Sequence, residues 1–140
     1  MAYNFMQRTI DTFHAQQGLG IPPWGDYLLL LTARGAKSGE AHTTPVVYRR
    51  RGDDLVIVAS KGGYPGNPQW YGNLRANPEA EVEVADGHGG TQHLRVRARP
   101  VPSGPERDEL YAFMTEVWPG FADYQAKADR TIPVVVLTPV

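Results

Sequence analysis

Three stretches of the chain carry residue types that could do chemistry at a fixed place. The first runs from Ala33 through Arg34, Gly35, Ala36, Lys37, Ser38, Gly39, Glu40, Ala41, His42, Thr43 and Thr44 to Pro45. Its glycines let backbone amides approach a ligand, and its lysine supplies a compact positive charge. With one histidine and three hydroxyls, the mixture suits an anionic, phosphate-bearing partner. The spacing is not that of a Walker loop, and taken alone the segment reads first as an exposed basic turn. The second stretch is Ser60-Lys61-Gly62-Gly63, directly after an apolar run. A hydroxyl at a strand end is rigidly held, and the glycines free amides for an oxyanion. A serine hydrolase is excluded, because the flanks are not Gly-x-Ser-x-Gly and no histidine partner can be assigned. The third is Asn67-Pro68-Gln69-Trp70-Tyr71-Gly72-Asn73-Leu74. On a helix Trp70 and Tyr71 diverge, so one is expected in the core and the other against a planar ligand. Asn73, three residues after Trp70, would reach a ligand edge.

Composition removes several alternatives. The chain has 140 residues and no cysteine, so thiolate nucleophiles, disulfides and iron–sulfur ligation are excluded. His14, His42, His88 and His93 show no paired metal-ligand spacing, and no metal is expected. With 14 Lys and Arg against 15 Asp and Glu, the formal charge is −1, which argues against a nucleic-acid partner gripped through the whole surface. That balance is uneven along the chain. Residues 34–61 hold six cations and three acids, and residues 106–130 hold three cations and six acids. The apolar run Tyr27–Leu31 is far short of the roughly 20 residues a transmembrane helix needs. Asn4, Gln7, Arg8 and Asp11 interrupt the opening stretch, so no secretory leader is expected and the location expected is the cytoplasm.

Periodicity places these stretches on elements. Residues 1–16 predict a short helix, and glycines and prolines at 18–23 break it. Tyr27–Ala33 has the length of a buried strand. Thr44–Arg50 and Leu55–Ser60 flank Arg51-Gly52-Asp53-Asp54 as a hairpin. Asn67 and Pro68 predict an N-cap and first helical residue, with the helix stopping near Asn77-Pro78. Glu79–Val84 alternates acid and apolar residues, and Leu94–Arg99 alternates apolar residues and arginine. A hairpin centred near His88 would set three acids near three arginines. Ser103 and Glu106 form a capping-box pattern ahead of a helix through Val117. A second short helix over 121–129 and a strand over 132–137 complete the chain. Hairpins make the sheet mainly antiparallel. Six strands favour a mainly β (α+β) fold, a small closed or partly closed barrel with helices packed outside. The expected division is one domain, an N-terminal segment over 1–24 and a barrel over 25–140.

Several motifs occur together in order: Thr32 with Lys37-Ser38-Gly39, Thr44-Pro45, Ala59-Ser60-Lys61-Gly62-Gly63, Asn67-Pro68-x-Trp70-Tyr71-x-Asn73-Leu74-x-Ala76-Asn77-Pro78, Tyr124-Gln125, and Asp129-Arg130-Thr131-Ile132-Pro133 with three valines. Across roughly residues 27–138 the chain resembles the deazaflavin-dependent nitroreductase family. The resemblance implies an FMN-binding-like split β-barrel and the cofactor coenzyme F-420, an 8-hydroxy-5-deazaflavin with a phosphate and a polyglutamate tail. It implies hydride transfer from the reduced coenzyme to a quinone, nitroaromatic or activated alkene. Carried over to this chain, Lys37, Ser38, Gly39, His42, Thr43, Thr44, Lys61, Gly62 and Gly63 would hold phosphate and tail. Pro45, Val47, Ala59, Ser60, Asn67, Pro68, Trp70 and Asn73 would shape the ring groove. Ser60 and Tyr124 are the catalytic candidates. Trp118, Phe121 and Tyr124 would line the acceptor mouth.

Two departures matter. The family often has Gly-Arg-Lys where this chain has Gly35-Ala36-Lys37, and Arg where it has His42. Only Tyr124 keeps a hydroxyl where a quinone-reducing branch has several tyrosines, so a changed acceptor preference is expected. The alternatives are a non-catalytic deazaflavin carrier and a split-barrel protein that binds FMN or haem. Partners are expected to be a small-molecule acceptor and, at most, a second copy of the chain as a homodimer. Peripheral membrane contact stays open.

Overall fold

The computed structural model describes residues 5–61 and 66–140. Period-2 alternation sets its architecture. Six strands, β1 (Leu28–Arg34), β2 (Ala41–Arg51), β3 (Asp54–Val58), β4 (Glu79–Ala85), β5 (Thr91–Val101) and β6 (Val134–Pro139), close an antiparallel barrel in the order β1-β2-β3-β6-β5-β4. Closure leaves no free sheet edge. Four helices accompany it: α1 (Phe5–Gln16), α2 (Gln69–Ala76), α3 (Pro105–Thr115) and α4 (Gly120–Lys127).

Each strand sends alternate residues to opposite faces. Leu29, Leu31, Val46, Leu55, Ile57, Val82, Val96 and Leu137 fill the interior, each fully buried aliphatic contributing about 1.5–3 kcal/mol. Outside, Leu28 and Leu30 meet Phe13 of α1. Val56, Val58, Val134 and Val136 meet Leu110, Tyr111 and Met114 of α3 and Phe121 of α4. Val47 packs against both outer clusters, so the strip of β2 and β3 between the two helical layers is neither interior nor fully covered. The site lies on that strip.

Several local expectations are corrected by the structure. Trp70 and Tyr71 are both buried in the interior cluster, because a helix set across a barrel end presents more than one face to apolar surroundings. The helix begins one residue later than expected. Pro68 is its N-cap and makes no side-chain cap, while Asn67 Oδ1 accepts from Arg130 at 2.7 Å. Gly104, with φ of 98°, stands at the N-cap of α3 where Ser103 was expected. Glu106 instead accepts two hydrogen bonds of 2.9 Å from Arg99. The acid and arginine stripes pair only in part. The register sets Glu79 against Arg97, Glu81 against Arg95 and Glu83 against His93. Arg99 lies beyond the start of β4 and pairs with Val136 of β6 instead.

Candidate functional site

On β2, Pro45 and Val47 point outward while Val46 and Tyr48 turn inward. On β3 the outward file is Val56 and Val58, and Ser60 continues it two residues on. The bond from Ala59 N to Pro133 O at 2.9 Å carries the β3–β6 ladder one residue beyond the named strand, so Ser60 leaves from a held backbone. Pro45, Val47, Val58 and Ser60 line one cleft of about 180 Å³. Trp24, Val46, Trp70, Trp118, Phe121 and Tyr124 complete its lining. Phe121 is buried and stacks edge-on to Tyr124 with centroids 6.0 Å apart. An adjoining apolar groove of about 230 Å³ shares Trp24, Pro45 and Val47 and continues to Thr44, Leu28, Thr9, Met6 and Phe5. Together the two spaces reach the ~300–1,000 Å³ range of ligand pockets.

The cleft brings together residues from three of the expected groups: Pro45, Val47, Ser60 and Trp70 from the ring groove, Trp118 and Phe121 from the acceptor mouth, and Tyr124. Trp24, Val46 and Val58 join them unforeseen. Trp24 carries no motif. The signal for Val58 was its phase with Ser60.

The basic turn lies at one end of β2. Gly35 N donates to Glu40 O at 2.8 Å, and Gly39 N to Gly35 O at 3.0 Å. Gly39 has φ of 72°, which favours glycine. A Cβ on Gly35 would stand 2.6 Å from Ser38 Oγ, so a side chain there would push the serine hydroxyl away from Glu40 N. Ser38 Oγ accepts from Glu40 N, and Arg34 donates to Gly39 O. Thr43 and Thr32 share a 2.7 Å hydroxyl contact on the outer face. Lys37, Ser38, Gly39, His42 and Lys61 are exposed, and among the described residues neither lysine forms an ion pair. Gly62 and Gly63 lie outside the described residues.

Asn73 is placed differently from its expected ring contact. It is 5% exposed, and its Oδ1 accepts from Ala36 N at 3.0 Å. It holds the basic turn from behind. Asn67 likewise faces Arg130. Ala59 is fully buried inside the barrel, so only its backbone can border a ligand.

The wall made by α3 and α4 is held by buried polar groups. Tyr111 donates its hydroxyl to Phe121 O, and burial raises its pKa to about 12. Arg107, 7% exposed, lies 4.2 Å from the centre of the Tyr111 ring and donates to Ile132 O and to Gln125 Oε1.

Against known proteins, the family model described as F420H(2)-dependent quinone reductase matches residues 5–139. The chain belongs to this family. It is 43% identical over 121 residues to the F420H(2)-dependent quinone reductase Rv1261c of Mycobacterium tuberculosis, covering 85% of this chain and 75% of that protein. Among solved structures it is similar to an F420-H2 dependent reductase (FDR-A), with TM-score 0.70 and 37% identity over 79% of this chain and 93% of that one. A structure described as a domain-swapped dimer matches with TM-score 0.72 and 32% identity over 94% of each chain. The chain is thus an oxidoreductase whose cofactor is coenzyme F-420, and a small-molecule acceptor fits the family. The site residues suit that cofactor. A cleft bordered by five aromatic side chains fits a planar ring system, and the glycine-tight turn with an unpaired lysine fits an anionic tail. No helix among the described residues is long and apolar enough to cross a membrane.

Proposed function

We propose that this reductase passes hydride to a quinone held in the cleft over Pro45, Val47, Val58 and Ser60. The observation carrying this reading is that one cleft gathers these outward residues under Trp24, Trp118, Phe121 and Tyr124. When bound, the reduced coenzyme supplies the hydride. The protein supplies orientation, exclusion of water, and a proton or hydrogen bond for the acceptor oxygen. Ser60 and Tyr124 bring the only side-chain hydroxyls among the cleft's described lining. Ser60 donates to the acceptor as charge develops on it, and Tyr124 orients the acceptor from the opposite wall. Lys37, Ser38, Gly39, His42, Thr43 and Thr44, with Lys61, bind the phosphate and tail.

The barrel over 25–140 is the cofactor-binding unit in this reading, with 1–24 as an N-terminal segment. The domain-swapped relative supports a homodimer. Phe5 and Met6, 71% and 47% exposed at the start of α1, support peripheral contact with a lipid surface. With tryptophan and phenylalanine at the mouth, nitroimidazole-type compounds are poorer acceptors than quinones.

The test is anaerobic titration of the protein with reduced coenzyme, then addition of menadione or a nitroimidazole. Fast oxidation by menadione is expected. Ser60→Ala should lower kcat by roughly 10- to 100-fold, the worth of one hydrogen bond to a charged acceptor. Tight binding without oxidation would instead make the protein a carrier.

A further inference from the structure

The segment 130–133, just ahead of β6, grips three parts of the molecule at once. Gln125 on α4 reaches it twice: Nε2 donates to Arg130 O at 2.8 Å, and Oε1 accepts from Ile132 N at 3.0 Å. That same Oε1 accepts from Arg107 Nη2, and Arg107 Nε donates to Ile132 O at 2.9 Å. Pro133 O accepts from Ala59 N, beside Ser60. The Arg130 side chain then reaches in a third direction. Its Nη1 donates to Asn67 Oδ1 at 2.7 Å and its Nη2 to Gly66 O. Those two residues lead into α2, which carries Trp70 of the cleft. One short segment therefore ties the acceptor wall (Phe121 and Tyr124 on α4), the backbone behind Ser60, and the approach to Trp70.

The geometry points to Arg130 as a positioning residue for cofactor binding. Its guanidinium fork pins Gly66 and Asn67 to the segment that also holds α4. A planar fork with two diverging N–H groups can satisfy both acceptors at once. A lysine ammonium, a single point charge, has no such rigid geometry. The pinning acts on backbone and side-chain oxygens 63 and 64 residues distant in sequence, so no local preference replaces it. Arg130 does not itself line the cleft.

This inference rests on the cleft reading above, and the experiment separates the two. Full-length protein, Arg130→Gln, Arg130→Lys and Asn67→Ala are titrated with coenzyme F-420 by deazaflavin fluorescence, and the KM for menadione and the Tm are measured on each. Arg130→Gln should weaken coenzyme binding by roughly 5- to 20-fold, with the menadione KM within twofold of wild type. Arg130→Lys should recover only part of the loss. Asn67→Ala, which removes one of the two acceptors, should show a smaller loss in the same direction, and it decides the matter if Arg130→Gln does not fold. Wild-type coenzyme affinity in Asn67→Ala and in a folded Arg130→Gln would overturn the assignment. So would a parallel loss of coenzyme affinity, menadione KM and Tm that Lys restores in full, because that pattern is generic structural damage. No binding by the wild-type protein would overturn the cleft reading itself.

Discussion

Replacing Asn73 with alanine tests how the basic turn is held. Asn73 is buried, and its one resolved bond to the turn is from Ala36 N at 3.0 Å. Ala36 itself is exposed, so its amide can bond to water once the partner is gone. The loss is then the net worth of an ordinary hydrogen bond, about 0.5–1.5 kcal/mol, and not the larger cost of an orphaned donor. A change near 1 kcal/mol lowers the Tm of a chain this size by about 3–5 °C. If the turn binds the coenzyme's tail in the conformation that Asn73 favours, affinity falls by at most the energy of that bias. The dissociation constant should rise about 2- to 12-fold. The assay is fluorescence titration with intact coenzyme F-420 and, separately, with a tail-free deazaflavin. Only the intact coenzyme should be weakened. Equal weakening of both would mean that Asn73 meets the ring after all. A normal affinity for both ligands, in a variant showing the expected Tm loss, would remove the turn from the tail site.

Two further outcomes are expected. The Tyr111 hydroxyl, raised to about 12 by burial, binds its proton more tightly folded than unfolded. Its contribution is complete below pH 10 and is lost between pH 10 and 12. A shift of about two units corresponds to about 2–3 kcal/mol, so Tyr111→Phe should flatten the alkaline fall in denaturant-measured stability. An equally steep fall in the variant would assign it to other groups. Lys61→Ala should weaken intact coenzyme several-fold more than the tail-free analogue, and an equal loss on both would take Lys61 out of the tail site.

Much of the fold was legible because its signals are local. Alternating Ala80, Val82 and Val84 against Glu79, Glu81 and Glu83 states both the strand and its inner face. Gly87 and Gly89, both at positive φ, mark the turn that follows. The hairpins required antiparallel pairing, and with six strands a barrel was the economical way to cover every edge. Single side-chain bonds were less legible. Glu106 sits at the spacing of a capping box, yet Arg99 offers two charge-assisted hydrogen bonds that a serine cap cannot match. The third arginine of the stripe missed its acid because a turn centred near His88 sets Arg99 beyond the start of β4, which begins at Glu79 opposite Arg97.

The candidate site divides in the same way. Residue type, strand phase and family resemblance, all read from sequence, were enough to nominate Pro45, Val47, Ser60, Trp70 and Tyr124 as neighbours. Sequence also established that any redox chemistry belongs to a bound organic cofactor, since the chain has no cysteine. Only the tertiary structure decided which way the amides of Asn67 and Asn73 face, and that Trp24 reaches the cleft. The partner atoms lie 63 and 37 residues away in sequence. A polar side chain can bond to any donor that chain closure brings near, so its choice is settled by which donors the closed barrel leaves beside it.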